Sequence, residues 1–247
     1  MDRGWEDVPD TIAHGGVLIC NRVFPGDWDF EAPLITGFRV LTTYGVHPRL
    51  ATSRVNWHKL EQRIRAKSCI AVGECGLDEV ALTGPMEDGL KCQQEVLRKQ
   101  VQLAGELQKP LVLHVRGKTV SATERLLSRV LELLKGKLPR QHRIYVHCFT
   151  GSIEELFKWR SNYPNSLFGI SWHSTEGEQF AEVGRRAPIE LLALESDAPH
   201  LSPVRGCANR PQWIIRQAQV IAELRNLPVE VVLKRCNSNA AKFFGFL

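Results

Sequence analysis

Short apolar runs alternate along this chain with longer stretches whose apolar residues recur at helical spacing. The runs GVLIC (16–20), FRVLTTYGV (38–46), CIAVGEC (69–75), PLVLHV (110–115), RIYVHCF (143–149), SLFGIS (166–171) and ELLALESD (190–197) are too short for typical helices and lack strong polar alternation. That is the pattern of parallel strands covered on both faces. Between them, residues 88–109 set Leu90, Val96, Leu97, Val101, Leu103, Ala104 and Leu107 in a broad apolar stripe opposite their charges. Residues 123–137 and 210–226 repeat that pattern, and 227–245 is expected to close the chain as a helix pair. Repeated β-then-α units predict an α/β fold, a TIM-type (β/α) barrel in preference to an open sheet. With no internal repeat or low-complexity linker, one domain is expected over 1–247, with an atypical stretch at 1–15.

In such barrels chemistry sits at the C-terminal ends of the strands. Four expected strands carry Glu74, His114, His147 and Asp197 there. Period-two alternation turns them inward together with Val72, Val112, Tyr145 and Glu195, respectively. Each has an ordinary alternative. Glu74 could pair with Arg116 or a lysine, either histidine could be a core residue with satisfied hydrogen bonds, and Asp197 could cap the following turn. Four residues of metal-ligand type at equivalent positions favour a site for one or two divalent cations.

Composition narrows the remainder. The 247 residues are 43% hydrophobic and 24% charged, with a mean hydropathy of −0.19, as in ordinary globular chains. No apolar run approaches the ~18 residues of a membrane span, and the N-terminal MDRGWEDVPD has no apolar core of a secretory signal. Seven scattered cysteines without a CxxC pair suggest small buried thiols in an intracellular, reducing compartment, cytoplasmic or nuclear. A formal charge of +5 and a pI near 8.9 permit an anionic partner, and no block of basic residues forms a nucleic-acid arm.

The blocks AVGECGLD, QQEVLRKQVQLAGELQKPLVLHVRG, YVHCFTGS, LLALESDAPHLSP and NSNAAKFF resemble, in order, those of the TatD family of metal-dependent deoxyribonucleases. YGVHPRLA (44–51) and RGCANRP (205–211) add to the likeness, which covers roughly residues 16 to 247. The resemblance implies a TIM-type barrel hydrolysing phosphodiesters, a DNA nuclease of exonuclease type, with a divalent metal. Mg²⁺ is the first choice, and Mn²⁺ or Zn²⁺ the alternatives. It implies that Glu74 bridges metals, that His114 and His147 hold one ion, and that Asp197 holds the other and orients the attacking water. Glu74 and Asp197 are thus the catalytic pair, and His47, Arg116, Arg205 and Asn209 face substrate phosphate or the residues around it.

The chain departs from the family pattern at its start. The family's first strand ends in Asp-x-His-x-His, whereas the nearest string here, DTIAH (10–14), retains an aspartate and His14 and has Ile12 between them. GGVLIC follows at once, leaving no room for a crossover of a dozen residues. Seven strands are therefore expected, with 4–16 as the remnant of a first helix and its loop. Two unpaired barrel edges would result, and an oligomer is one way to cover them. His173 and His200 are expected at the rim, and Glu79 stands where the family often has an aromatic. The alternative function is a non-catalytic or truncated relative serving as a binding or scaffold protein. An amide- or lactone-cleaving barrel ranks last, because no strand ends in lysine.

Overall fold

All seven apolar runs form strands in the computed structural model, which describes residues 16–30, 35, 37–51, 54–175 and 177–246. They are β1 (Gly16–Arg22), β2 (Phe38–Tyr44), β3 (Cys69–Asp78), β4 (Leu111–Arg116), β5 (Ile144–His147), β6 (Ser166–Ile170) and β7 (Leu192–Leu194). Each pairs in parallel with the next in sequence, and the sheet curls into an open TIM-like barrel. Seven helices accompany them among the described residues: α1 (Trp57–Arg65), α2 (Met86–Leu107), α3 (Val120–Leu134), α4 (Ile153–Asn162), α5 (Gly177–Arg186), α6 (Ile214–Arg225) and α7 (Val229–Phe244). Several starts are written locally. Asn56, Thr119 and Ser152 each accept a backbone N–H three residues on, satisfying donors that a helix start leaves open.

One helical expectation needs correction. Residues 227–245 hold a single helix, α7 (Val229–Phe244), rather than a pair. The break lies before them, where Asn226 ends α6 in the left-handed region at φ 50° and Pro228 precedes α7. Nothing inside 229–244 interrupts the ladder.

The sheet separates two apolar regions. Outside it, residues such as Leu60, Leu113, Leu126, Trp159 and Phe168 pack between strands and helices. Inside, Ala71, Val112, Tyr145, Leu167, Ala193 and Phe243 form a smaller cluster. The helix α7 packs on β7 and sets Phe243 and Phe244 against Tyr145, with ring centroids 5.9 and 5.7 Å away.

The expected inward pairing of Val72 with Glu74 is also corrected. Ala71 belongs to the inner cluster and Val72 to the outer one. Strict alternation from Ala71 would send Glu74 outward. The β3–β4 register shifts between Val72 and Cys75, and Gly73 sits at φ +134°. This irregularity swaps faces within the strand and brings Glu74 back inside. A side chain at Gly73 would overlap the Val112 carbonyl, so glycine is required there.

Among the described residues, neither β1 nor β7 has a strand partner on its outer edge. Between them runs a cleft of about 1650 Å³, lined by β1 on one side and by β7 and α7 on another. Of the helix remnant expected at 4–16, residues 4–15, His14 among them, lie outside the described residues, and Gly16 begins β1.

Candidate metal centre

Glu74, His114, His147 and Asp197 converge at the cleft, Glu74 from within β3 and Asp197 from beyond β7. Glu74 is buried in β3, and its two oxygens have different surroundings. Oε1 accepts the Asn21 amide N–H at 2.6 Å. Oε2 lies 3.6 Å from both His114 Nδ1 and His147 Nε2, just beyond hydrogen-bond length. His147 Nε2 is also 3.4 Å from Asp197 Oδ1. The neighbours of Glu74 are thus an amide and two imidazoles, not the arginine of the salt-bridge alternative. Asp197 lies beyond β7, which ends at Leu194, and stands at φ 57° in the loop with its carboxylate on His147.

Each imidazole has a carboxylate on its far side. Asp78 Oδ2 is 3.2 Å from His114 Nε2, and Asp78 Oδ1 accepts the N–H groups of Val80 and Ala81. Glu195 Oε2 takes His147 Nδ1 at 2.9 Å and the Tyr145 hydroxyl at 2.7 Å, while Oε1 accepts the Cys148 N–H. Gly169 makes this possible, since a Cβ there would occupy the space of Glu195 and Tyr145. In the neutral ring, a carboxylate taking one N–H leaves the lone pair of the other nitrogen facing Glu74, the usual arrangement behind a metal-binding histidine.

The electrostatics follow from this crowding. Burial alone would raise the Glu74 carboxyl, but the charge of His147 and the close approach and charge of His114 outweigh it and hold it at about 2. Burial works to lower both imidazoles. Asp78 and Glu74 nevertheless lift His114, and Glu195 and Glu74 lift His147 well above the ordinary value. His47 behaves oppositely. Burial, then the neighbouring His114, push it down to about 4, so its ring is neutral near pH 7.

The donor set fits a divalent cation. Four donors about 2.1 Å from an ion in a tetrahedral shell stand about 3.4 Å apart, close to the spacing around Glu74 Oε2. Two ligand groups meet at Glu74, namely His47–Glu74–His114 and Glu74–His147–Asp197, with ligand atoms within 4.8 Å of one another in each. The two strand-end imidazoles thus fall in different groups, whereas the resemblance assigns both to one ion. His47 is the weaker member of the first. Its Nδ1 accepts the Arg49 N–H at 3.1 Å, which places the proton of the neutral ring on Nε2 and makes that nitrogen a donor. It stacks on His114 with centroids 4.3 Å apart.

Of the expected substrate contacts, His47 and Arg116 line the cleft. Arg205 is exposed and outside that lining. Asn209 is buried, and its side chain ties down the loop after Asp197. Its Nδ2 reaches the carbonyls of Ser196, His200 and Leu201, and its Oδ1 accepts the Arg210 N–H. With both ends of the amide engaged, it has no donor left for phosphate. His173 and His200 reach the cleft, while Glu79 is buried against Arg125. Sequence reasoning assigned no part to Asn21 or Asp78. The only signal for either was its place at the C-terminal end of a strand.

The profile described as TatD related DNase matches residues 15–245. The chain belongs to this family. The human 3'-5' RNA nuclease TATDN2 is 31% identical over 213 residues, a match covering 82% of this chain and 26% of that protein. The chain therefore spans well under two thirds of that relative's length. The 3'-5' ssDNA/RNA exonuclease TatD of Erwinia billingiae is 31% identical over 212 residues, covering 82% of this chain and 77% of its own. Among solved TatD structures, the YJJV homologue from Escherichia coli superposes with a TM-score of 0.72 at 25% identity, covering 93% and 86% of the two chains. The TatD family hydrolase of Entamoeba histolytica, at 19% identity, shares the fold with a TM-score of 0.74 over 92% and 84%.

Proposed function

We propose that this chain is a divalent-metal-dependent nuclease that removes nucleotides from single-stranded DNA or RNA, with Glu74, His114, His147 and Asp197 holding the metal. The observation that carries the reading is Glu74 Oε2, which is buried, ionised and set 3.6 Å from two imidazoles. The names of the human and Erwinia relatives, an RNA nuclease and an ssDNA/RNA exonuclease, support the substrate class. Carboxylate and imidazole donors in each group suit Mg²⁺ or Mn²⁺, and Zn²⁺ as well. A bound ion supplies positive charge to the phosphoryl oxygens and lowers the pKa of water.

The chain's own residues supply the rest. Asp197, the most exposed of the carboxylates at 25%, faces the cleft and is placed to orient a water and accept its proton. The His47 Nε2–H and the Arg116 guanidinium donate to phosphate oxygens, and Arg49 and Lys118 on the same cleft extend the positive path. No described helix is long and apolar enough to cross a membrane. Seven free thiols support a reducing compartment, cytoplasm or nucleus. An oligomer covering the seam between β1 and β7 belongs to this reading, and light scattering of the full chain tests it.

The central test measures cleavage of end-labelled single-stranded DNA and RNA with Mg²⁺ or Mn²⁺, beside Glu74→Gln and an EDTA control. Cleavage that needs both the ion and Glu74 supports the reading. A folded protein that binds the ion and cleaves neither polymer would make the chain a binding relative that has left the family's chemistry.

A further inference from the structure

The C-terminal end of β1 reaches across β2 to the metal centre through one side chain. Asn21 lies opposite Thr43 in the β1–β2 register. Its Nδ2 donates to Glu74 Oε1 at 2.6 Å, and its Oδ1 lies 2.7 Å from the Thr43 hydroxyl. That hydroxyl is also 2.9 Å from the carbonyl of Gly73, the residue before Glu74. One hydroxyl proton serves both acceptors, so the trio forms a small closed network tying the side chain and the backbone of Glu74 to β1. The direction of the amide is settled by charge: an ionised carboxylate takes the NH₂ end, which leaves Oδ1 for Thr43.

We propose that Asn21 is a positioning residue of the metal centre, holding Glu74 by Oε1 so that only Oε2 is offered to the ion. This rests on the metal-binding reading of Glu74 and adds to it the means by which the carboxylate is aimed. Without the amide, Glu74 can rotate and present both oxygens or turn one toward β2. With it, Oε2 stays midway between the two imidazoles, at 3.6 Å from each. The bland alternative is a structural tie that joins β1 to β3 and has no bearing on the ion. Position favours the stronger reading, because the amide meets Oε1 while Oε2 is the oxygen nearest both histidines.

The experiment uses the purified full chain and measures Mn²⁺ binding by calorimetry or by electron paramagnetic resonance of the free ion, with the thermal midpoint recorded in EDTA and in Mn²⁺. Asn21→Ala is expected to weaken Mn²⁺ binding by about 10–100-fold, the usual result of removing a group that orients a ligand. Asn21→Asp sets a second carboxylate against Glu74. Its midpoint in EDTA should fall below that of wild type, and Mn²⁺ should raise it by more than it raises wild type. Thr43→Val keeps Asn21 but removes the outer link, and should weaken binding by a smaller factor than Asn21→Ala. If the position-21 variants do not fold, Thr43→Val decides the matter, and unchanged Mn²⁺ affinity there overturns the proposal. Asn21→Ala with wild-type affinity and a lowered midpoint would make Asn21 a structural tie only, and the proposal fails. Wild-type protein that binds no Mn²⁺ is a different failure, since it removes the metal-centre reading itself.

Discussion

The wall formed by β3 to β6 and the seam between β1 and β7 stand in opposite physical conditions. In the wall, β6 is buried at every residue and β3 at nine of its ten. In β1 the first two residues are exposed and the rest half-buried. Three proposed ligands, Glu74, His114 and His147, come from the wall, with side chains 8%, 13% and 5% exposed. The fourth, Asp197, stands in the loop beyond β7 and is 25% exposed. The wall therefore holds the proposed donors away from water, and among the described residues the seam leaves them open to the cleft. Rigidity and access are divided between two parts of one sheet, and Asn21 links them.

The largest effect expected is at the heart of the wall. Glu74→Gln removes the charge shared by both ligand groups and should reduce metal-dependent cleavage to background while circular dichroism stays native. Cleavage at the wild-type rate would break the division of labour at its centre. Next, Phe168→Ala empties a fully buried site on the outer face of β6. It should cost about 3–5 kcal/mol of unfolding free energy in denaturant. A loss below about 1 kcal/mol would show that the wall is not the rigid part.

A smaller change is expected behind His147. Glu195→Gln keeps the shape but weakens the hold on Nδ1, and calorimetry should show divalent affinity reduced by about 10–100-fold. Tyr145→Phe, one bond further out, should reduce it by less. The pH dependence has a definite sign. His114 and His147 have raised pKa values in the metal-free protein, so at the lower end of the range a proton occupies each ring that an ion needs neutral. Divalent affinity should therefore rise with pH as these protons leave, and binding should release protons measurable by calorimetry in buffers of different ionisation heat. At the seam, Val17→Thr changes a side chain that is already 37% exposed and should shift stability by no more than about 0.5 kcal/mol. A much larger loss would mean that this edge is covered in solution.

Much of this was legible in the residue pattern. The seven strands, the long α2 and the gathering of Glu74, His114, His147 and Asp197 at one cleft follow from run length, spacing and residue type, although β3 runs on past Glu74 to Asp78 and β7 stops at Leu194, short of Asp197. Three features were not. The inward turn of Glu74 depends on a register shift at Val72–Cys75, and strict alternation pairs it with the wrong neighbour, Val72 in place of Ala71. Asn209 was expected at substrate phosphate or among the residues around it because it follows Asp197 in a family-like segment, and its amide instead closes the loop after Asp197. Asn21 carried no motif, being one polar residue at the end of an apolar run.

What the sequence by itself determined is the alternation of strands and helices and the types of side chain that gather at the cleft. Both depend on local periodicity and on side-chain type, which a linear reading contains. Only the tertiary structure decided which nitrogen of each histidine faces Glu74, which carboxylates stand behind them, and which oxygen of Glu74 is left for an ion. Those choices are made by residues 22 to 53 positions apart, such as Asn21 with Thr43 and Glu74, or His147 with Glu195. Curling the sheet brings them within hydrogen-bond reach, and no pattern along the chain records that distance.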